Sequence, residues 1–257
     1  MAFGSILHTF EYVSLTGDCN LQANFKNSSL SRLSLRILGV PHIGLRLRSA
    51  KILKNIPSYA IKMLDAGFGT GIYSYTLCSK IKTIDAIDSD VKKVDYANRV
   101  NYFKNINFQA MDLTKLRFED SSFDLIICSQ VLEKIKEGEI AFSELARVLK
   151  KGGTLLLTVP FDSKKRRSIY KDYDDVRSGY TEEEMQDLCS KYGLTLLKSE
   201  GYSHYLAERA ATAQYNILNY KILNAISFYF IFAFAQLCES IPWRGSPNDI
   251  FFKITKK

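Results

Sequence analysis

Met63-Leu64-Asp65-Ala66-Gly67-Phe68-Gly69-Thr70-Gly71 is the stretch from which the fold of this chain can be read. An apolar run ends on an acid, and glycines then stand at 67, 69 and 71. The next segment, Ile72 to Lys80, reads as a helix. A residue without Cβ takes a tight strand-to-helix turn and lets a ligand lie against the backbone. Three glycines within five residues would weaken an ordinary connection, so the turn reads as a cradle for a nucleotide-like cofactor.

The spacing and the acid narrow the choice of cofactor. A dinucleotide loop reads G-x-G-x-x-G and faces a pyrophosphate with its helix N-terminus. Here position 72 is Ile, and Asp65 stands where its carboxylate would repel a pyrophosphate. S-adenosylmethionine carries no phosphate. Its ammonium and sulfonium groups tolerate or favour a nearby carboxylate, so the loop fits S-adenosylmethionine better than NAD.

Composition bounds the rest. A chain of 257 residues, 46% hydrophobic, is globular and long enough for one large domain or a domain with an elaborated cap. The net charge of +8 points to an anionic partner: lipid headgroups, nucleic acid or a phosphorylated substrate. Cys19, Cys78, Cys128, Cys189 and Cys238 are scattered and lack C-x-x-C spacing, which reads as reduced thiols in a cytosolic protein rather than zinc ligands. No metal site is expected. Glu11, Asp18 and the lack of a long apolar run make the N-terminus a poor signal peptide, so the expected location is cytoplasmic. Neither an internal repeat nor a low-complexity segment is visible.

Strand and helix patterns alternate along the chain. Strands are expected at Ala60 to Ala66, Thr83 to Asp88, Ile106 to Met111, Phe123 to Ser129 and Thr154 to Val159, the last stopped by Pro160. Helices are expected at Asp90 to Lys104, with Ser89 or Asp90 as N-cap, and from Glu137 to Leu149, ended by Lys151-Gly152-Gly153 as a C-cap turn. Near-continuous apolar strands alternating with helices imply an α/β fold, a parallel sheet covered on both faces. Ligands bind such sheets at the carboxyl ends of the strands.

Those ends carry the right chemistry. Asp88 closes the second strand, where a carboxylate can accept hydrogen bonds from both ribose hydroxyls. Its alternative is an N-cap or a solvated loop acid. Asp112 follows the third strand and can accept from an adenine amino group, with Met111 and Leu113 against the ring; its alternative is a loop carboxylate at a helix start. Ser129 and Gln130 follow the fourth strand and should lie beneath the reacting sulfonium, whereas Asp124, at that strand's start, is structural.

Taken together, the chain resembles class I S-adenosylmethionine-dependent methyltransferases of the broad type-11 group. The matching pieces are L-D-A-G-F-G-T-G at 64–71, A-I-D-S at 86–89, A-M-D-L at 110–113, S-F-D-L-I-I-C-S-Q-V-L-E-K-I at 122–135 and F-S-E-L-A-R-V-L-K-K-G-G-T-L-L-L-T-V-P at 142–160. The resemblance covers about residues 60–202. It implies a Rossmann-like, doubly wound sheet of seven strands, mostly parallel with the last antiparallel. It also implies cofactor roles for Asp65, Gly67, Gly69, Gly71, Asp88 and Asp112, and an expected contact set completed by Phe68, Ser89, Met111, Leu113 and Ser129. Phe68 stands where a small residue or Cys is usual, and Lys134 stands where many relatives have His.

On that template Leu194 to Ser199 is the sixth strand, after a helix from Glu182 to Lys191 capped by Thr181, and Asp249 to Thr255 is the seventh. The chain then divides into an N-terminal helical cap (1–59), the core (60–202), a helical insertion (203–248) and the final strand (249–257). Within the insertion, Ile222 to Leu237 is nearly all apolar with five aromatics, shorter than the ~20 residues of a membrane span. It reads either as a buried lid over the acceptor pocket or as a helix dipping into a membrane interface. Lys164-Lys165-Arg166-Arg167 and a second basic stretch, Arg32, Arg36, Arg46, Arg48, Lys51 and Lys54, read as solvated faces or as a surface for anionic lipid.

Candidate bases for the acceptor proton are Glu133, Asp172 and His204. Tyr170, Tyr173 and Tyr180 are possible acceptor contacts, Tyr180 standing also among the candidate catalytic residues. The leading expectation is methyl transfer, O-methylation first, to a small amphipathic or lipid-like acceptor. The competing expectations are an RNA methyltransferase, for which no RNA-binding appendage is visible, and a methyltransferase-like scaffold without activity.

Overall fold

In the computed structural model, residues 43–162, 176–204 and 247–257 are described, together with Arg209, Phe230, Phe234 and Leu237. The described elements are α1 (Ile43–Lys54), β1 (Lys62–Ala66), α2 (Ile72–Leu77), β2 (Thr83–Asp88), α3 (Val91–Val100), β3 (Ile106–Ala110) and β4 (Phe123–Ser129). A short 3-10 turn (Leu132–Lys134) follows, then α4 (Gly138–Val148), β5 (Leu149–Pro160), α5 (Glu182–Lys191), β6 (Leu194–His204) and β7 (Pro247–Lys256).

The seven strands form one sheet in the order β3-β2-β1-β4-β5-β7-β6. All neighbours pair in parallel except β7, which runs antiparallel to both β5 and β6. The Rossmann-like, mostly parallel sheet is therefore present, with its reversed strand seated between β5 and β6. The order reverses direction at β1 and β4, and a crevice opens at such a switch point.

Two hydrophobic clusters cover the two faces. One joins α1, α2 and α3 to Met63, Leu125, Leu156 and Phe251. The other joins α4 and α5 to Leu64, Ile126, Leu157 and Phe252. Alternate residues of one strand thus serve opposite layers, which is why β1, β4 and β5 read as unbroken apolar runs.

Local chemistry sets the element ends. Asp90 caps α3, accepting from the Lys92 N–H at 2.9 Å, and α3 ends at Val100, four residues before the expected Lys104. There Asn101 accepts from the Phe103 N–H and donates to the Phe103 and Ile106 carbonyls, turning the chain into β3. Thr181 caps α5 in a reciprocal box with Glu184. Asp124 is structural: it accepts from the Lys62 N–H at 2.8 Å and pairs with Lys150, fixing the start of β1.

One expectation is corrected. Lys151-Gly152-Gly153 does not cap α4; the helix ends at Val148, and Leu149 already donates back to Leu145 O. The glycines lie inside β5, where Phe123 pairs with Leu149 but Leu125 pairs with Thr154. The extra residues bulge out of the ladder, with Gly152 at φ +73°. Strand β6 also runs on to His204 and β7 begins at Pro247, so the insertion spans 205–246.

Candidate cofactor and acceptor site

The glycine turn links β1 to α2 at the switch point. Gly67 and Phe68 both donate to Ile87 O, at 2.8 and 2.9 Å, which folds the turn back over β2. The three glycines have φ between +54° and +75°, in the left-handed region, but different surroundings. A Cβ at Gly67 would stand 2.4 Å from Val131 Cγ2, and one at Gly71 would stand 2.9 Å from Tyr75 Cε2. A Cβ at Gly69 would meet nothing within 4 Å. Gly67 and Gly71 are closed by packing, and Gly69 forms the open lip of the cradle. Phe68 turns its ring into the core, edge-on to Phe108 at 4.8 Å, so only its backbone faces the turn.

Asp88 is held at that lip. Its Oδ2 accepts from Gly69 N at 3.0 Å and its Oδ1 from Asp90 N at 3.0 Å. Each carboxylate oxygen has a second lone pair, so both can still accept a hydroxyl hydrogen. Neighbouring Ser89 is exposed. Beyond it, Met111 donates its N–H to Asp88 O at 3.0 Å, and the side chains of Met111 and Leu113 are buried. Asp112 is exposed and turns its Oδ1 to the N–H and hydroxyl of Thr114, both at 2.8 Å; these bonds hold its carboxyl below the usual range.

Asp65 is 2% exposed and accepts from Ser74 N at 3.1 Å and Ser74 Oγ at 2.6 Å. Burial pushes its pKa from 3.8 up to about 6, against the pull of both Ser74 hydrogen bonds. A desolvated carboxylate of this kind gains from an approaching cation. The open lip at Gly69, the backbone-locked Asp88 and the desolvated Asp65 fit S-adenosylmethionine, a cationic nucleoside without phosphate.

A second polar group sits beside the first, at the carboxyl ends of β4 and β5. Tyr73 Oη lies 3.3 Å from Ser129 Oγ, which lies 2.9 Å from Thr158 Oγ1. Gln130 takes φ +57° and donates its amide to Asp249 Oδ1 at 3.3 Å. Arg48 enters this group from α1. Burial would lower its pKa, and nearby Tyr202, Tyr73, Asp249 and Glu133 reverse the shift to a net rise. Helix α1 is also tied to β6 by the Lys51–Glu200 ion pair. Sequence reading placed Arg48 and Lys51 in a basic surface stretch and missed Asp249, because only the sheet order brings β7 beside β5.

The candidate bases fall in different places. Glu133 is fully buried in the 3-10 turn, and its carbonyl accepts from Val176 and Arg177. Tyr180 is buried with its ring under the Arg177 guanidinium at 3.8 Å, and its hydroxyl would stand 2.6 Å from a Cβ at Gly138. His204 is buried at the end of β6, opposite Pro247 and two residues along β7 from Asp249. Asp172, Tyr170, Tyr173 and the run Lys164 to Arg167 lie outside the described residues. Among the described residues, no three His, Cys, Asp or Glu side chains gather as metal ligands would.

Comparison with known proteins agrees with this geometry. Residues 64–157 match the family model described as a methyltransferase domain. The chain is 29% identical over 98 residues to the ubiquinone biosynthesis O-methyltransferase of Coxiella burnetii, covering 37% of this chain and 42% of that protein. It is 30% identical over 119 residues to the demethylmenaquinone methyltransferase of Renibacterium salmoninarum, covering 44% and 47%. The chain thus spans less than half the length of these curated relatives. Among solved structures, phosphoethanolamine N-methyltransferase 2 of Haemonchus contortus in complex with S-adenosyl-L-methionine superposes with a TM-score of 0.61 at 19% identity, covering 81% of this chain and 52% of that one. Strand order, glycine turn and family match converge: residues 64–157 match the methyltransferase domain, and the sheet has the fold of solved S-adenosylmethionine-dependent methyltransferases.

Proposed function

We propose that this protein transfers the methyl group of S-adenosylmethionine to an oxygen of a small amphipathic acceptor of quinone-like chemistry. The observation that carries the cofactor half is Asp88, locked by two backbone N–H groups beside the open lip at Gly69. The acceptor half is supported by two partial relatives whose names place them in quinone metabolism. The cofactor supplies a carbon already activated by positive sulfur. The chain's own task is positioning, which supplies much of the acceleration in such displacements.

In this reading Asp88 binds the ribose and Met111 and Leu113 wall the adenine. Asp65 favours the cationic end, and Tyr73, Ser129 and Thr158 line the approach of the acceptor. A hydroxyl acceptor must lose its proton. His204 is the base we favour, because β6 delivers it to the edge shared by Asp249 and Thr158.

Calorimetry with S-adenosylmethionine is the first test. Wild type should bind at micromolar affinity and Asp88→Ala at least tenfold more weakly, a loss of ~1.4 kcal/mol or more. Labelled methyl transfer into demethylated quinone precursors, against transfer into RNA, then tests the acceptor. Label in RNA alone would replace the quinone-like reading, and no binding by folded wild type would remove the enzyme reading altogether.

A further inference from the structure

The strand register gathers polar residues on one face of the sheet. Ser129 pairs with Thr158, Pro160 with Asp249, and Asp249 with Tyr202. Paired residues share a face, as do residues two apart, so Ser129, Thr158, Asp249, Tyr202 and Glu200 lie on the side covered by α1 and α2. Leu47 and Ile52 of α1 pack into the same apolar cluster as Tyr73, Tyr202 and Phe251. The Lys51–Glu200 ion pair fixes the helix over β6, and Arg48 stands one turn before Lys51 on the same helix side. There Tyr202, Tyr73, Asp249 and Glu133 bear on its guanidinium.

From this arrangement we infer that Arg48 binds the acceptor's reacting oxygen as an anion, the oxygen belonging to a phenol or enol and not to an alcohol. The inference rests on the methyl-transfer reading above and adds the ionisation state of its acceptor. A guanidinium offers five donors in one plane and keeps its charge. Tyr202, 1% exposed, holds its hydroxyl beside Thr158 without a hydrogen bond of normal geometry among the described residues, which leaves its hydrogen for an incoming oxygen. Tyr73 Oη, 3.3 Å from Ser129 Oγ, is a second hydroxyl at the carboxyl end of β4. A cation and two hydroxyls set in advance around one point favour a negative oxygen there. The acceptor O–H bond breaks with its electron pair left on oxygen, and the proton passes to His204, two residues beyond Tyr202 on the same face.

Charge balance selects the acceptor class. Arg48 and Asp249 are both half-buried, and Asp249 takes the Gln130 amide on Oδ1 at 3.3 Å. Gln130 makes that contact from left-handed backbone at φ +57°, a strain that gathers at functional sites. A phosphate would set two charges against the carboxyl groups of Asp249 and Glu133, whereas a phenolate or enolate brings one, spread over several atoms. One nearby cation changes an ionisation constant by a factor of about 10 to 1,000, enough for a phenol and far too little for an aliphatic alcohol. The competing assignment is structural: Arg48 only pins α1 to the sheet and touches no acceptor.

4-Nitrophenol, yellow only when ionised, is the probe, titrated across pH with the full chain and S-adenosylhomocysteine so that no methyl can move. Binding to wild type should raise its ionisation constant about tenfold or more over the free probe. Tyr202→Phe and Arg48→Lys should each shrink that rise, and Asp249→Asn, which leaves the guanidinium less compensated, should enlarge it. Near-ultraviolet circular dichroism identifies folded variants, and if Arg48→Lys does not fold, the opposite responses of Tyr202→Phe and Asp249→Asn still decide. A probe bound neutral, no binding by wild type, or a rise that no variant moves would overturn the inference in favour of the structural role. Tighter binding of phenyl phosphate than of 4-nitrophenol would also overturn it, by assigning a phosphorylated acceptor. The colour needs no turnover, so labelled transfer with an unshifted probe fails this inference alone. A shifted probe without transfer into quinone precursors fails the acceptor reading alone.

Discussion

Gly67 and Gly69 share a left-handed backbone but differ in what a side chain would meet, and that difference can be measured. Left-handed geometry costs a non-glycine residue about 1–2 kcal/mol. Gly69→Ala should cost about that much, because its Cβ enters open space. Gly67→Ala should cost a further 1–3 kcal/mol, since its Cβ would lie 2.4 Å from Val131 Cγ2. Urea unfolding of both variants, with Val131→Ala as partner, checks this. Rescue of Gly67→Ala by Val131→Ala, and no rescue of Gly69→Ala, is the expected pattern. Asp65 carries a second prediction. Its pKa rises from 3.8 unfolded to about 6 folded, mainly by burial, so between those values the folded state holds the extra proton. Stability from this group is therefore present below about pH 4, is lost as pH rises to about 6, and stays flat above; the span is about 3 kcal/mol. Asp65→Asn should flatten that slope and gain stability at pH 7 while weakening cofactor binding. An unchanged slope would mean that Asp65 is not the titrating group.

Among the elements, the turn after β3 shows how a loop residue is held from a distance. Arg147 of α4 donates to Leu116 O at 3.0 Å and Phe118 O at 2.8 Å, and pairs with Glu144 and Asp120. Glu144 in turn accepts from the Leu116 N–H. This fork fastens the stretch beyond Met111, Asp112 and Leu113 to the helix behind it. Arg147→Lys keeps the charge but not the planar fork, so it should cost about 1–2 kcal/mol. Amide exchange should quicken at 114–120 with β1 and β4 unchanged, and S-adenosylmethionine affinity should fall a few-fold. Exchange that quickens everywhere would instead mark Arg147 as a general stability contact. The sequence made β2, β4 and α5 legible to the residue, because apolar runs and the Thr181 cap are local signals. The glycine pair at 152 and 153 misled, because glycine favours a bulge and a helix end for the same conformational reason. Which use applies depends on whether a neighbouring strand stands beside it, and β4 does. Likewise Asp65, Gly67 and Asp88 could be read from spacing, whereas the Asp88 lock on Gly69 needs β1 and β2 side by side.

At the scale of the molecule, α1 and β7 are far apart in sequence and meet over the carboxyl edge of the sheet. Arg48 and Asp249 come from those two elements, and no local pattern in the chain announces their encounter. The pairing of β7 with β5 and β6 sets Asp249 opposite both Pro160 and Tyr202, and Lys51–Glu200 anchors α1 on β6. Arg48 is half-buried there, and Tyr202, Tyr73, Asp249 and Glu133 together outweigh its desolvation. Removing the cation alone would leave buried Glu133 and half-buried Asp249 less compensated. Arg48→Met should therefore destabilise the fold strongly. Asp249→Asn in the same background should recover part of the loss, because it removes the charge that lacks compensation. Double-mutant-cycle urea unfolding reads this as a coupling of about 0.5–3 kcal/mol. Strict additivity would show that Arg48 answers to Glu133 or to the tyrosines and not to Asp249. Arg48→Lys separates packing from charge: partial recovery of stability identifies the charge as the anchor of α1, and none identifies the guanidinium's shape.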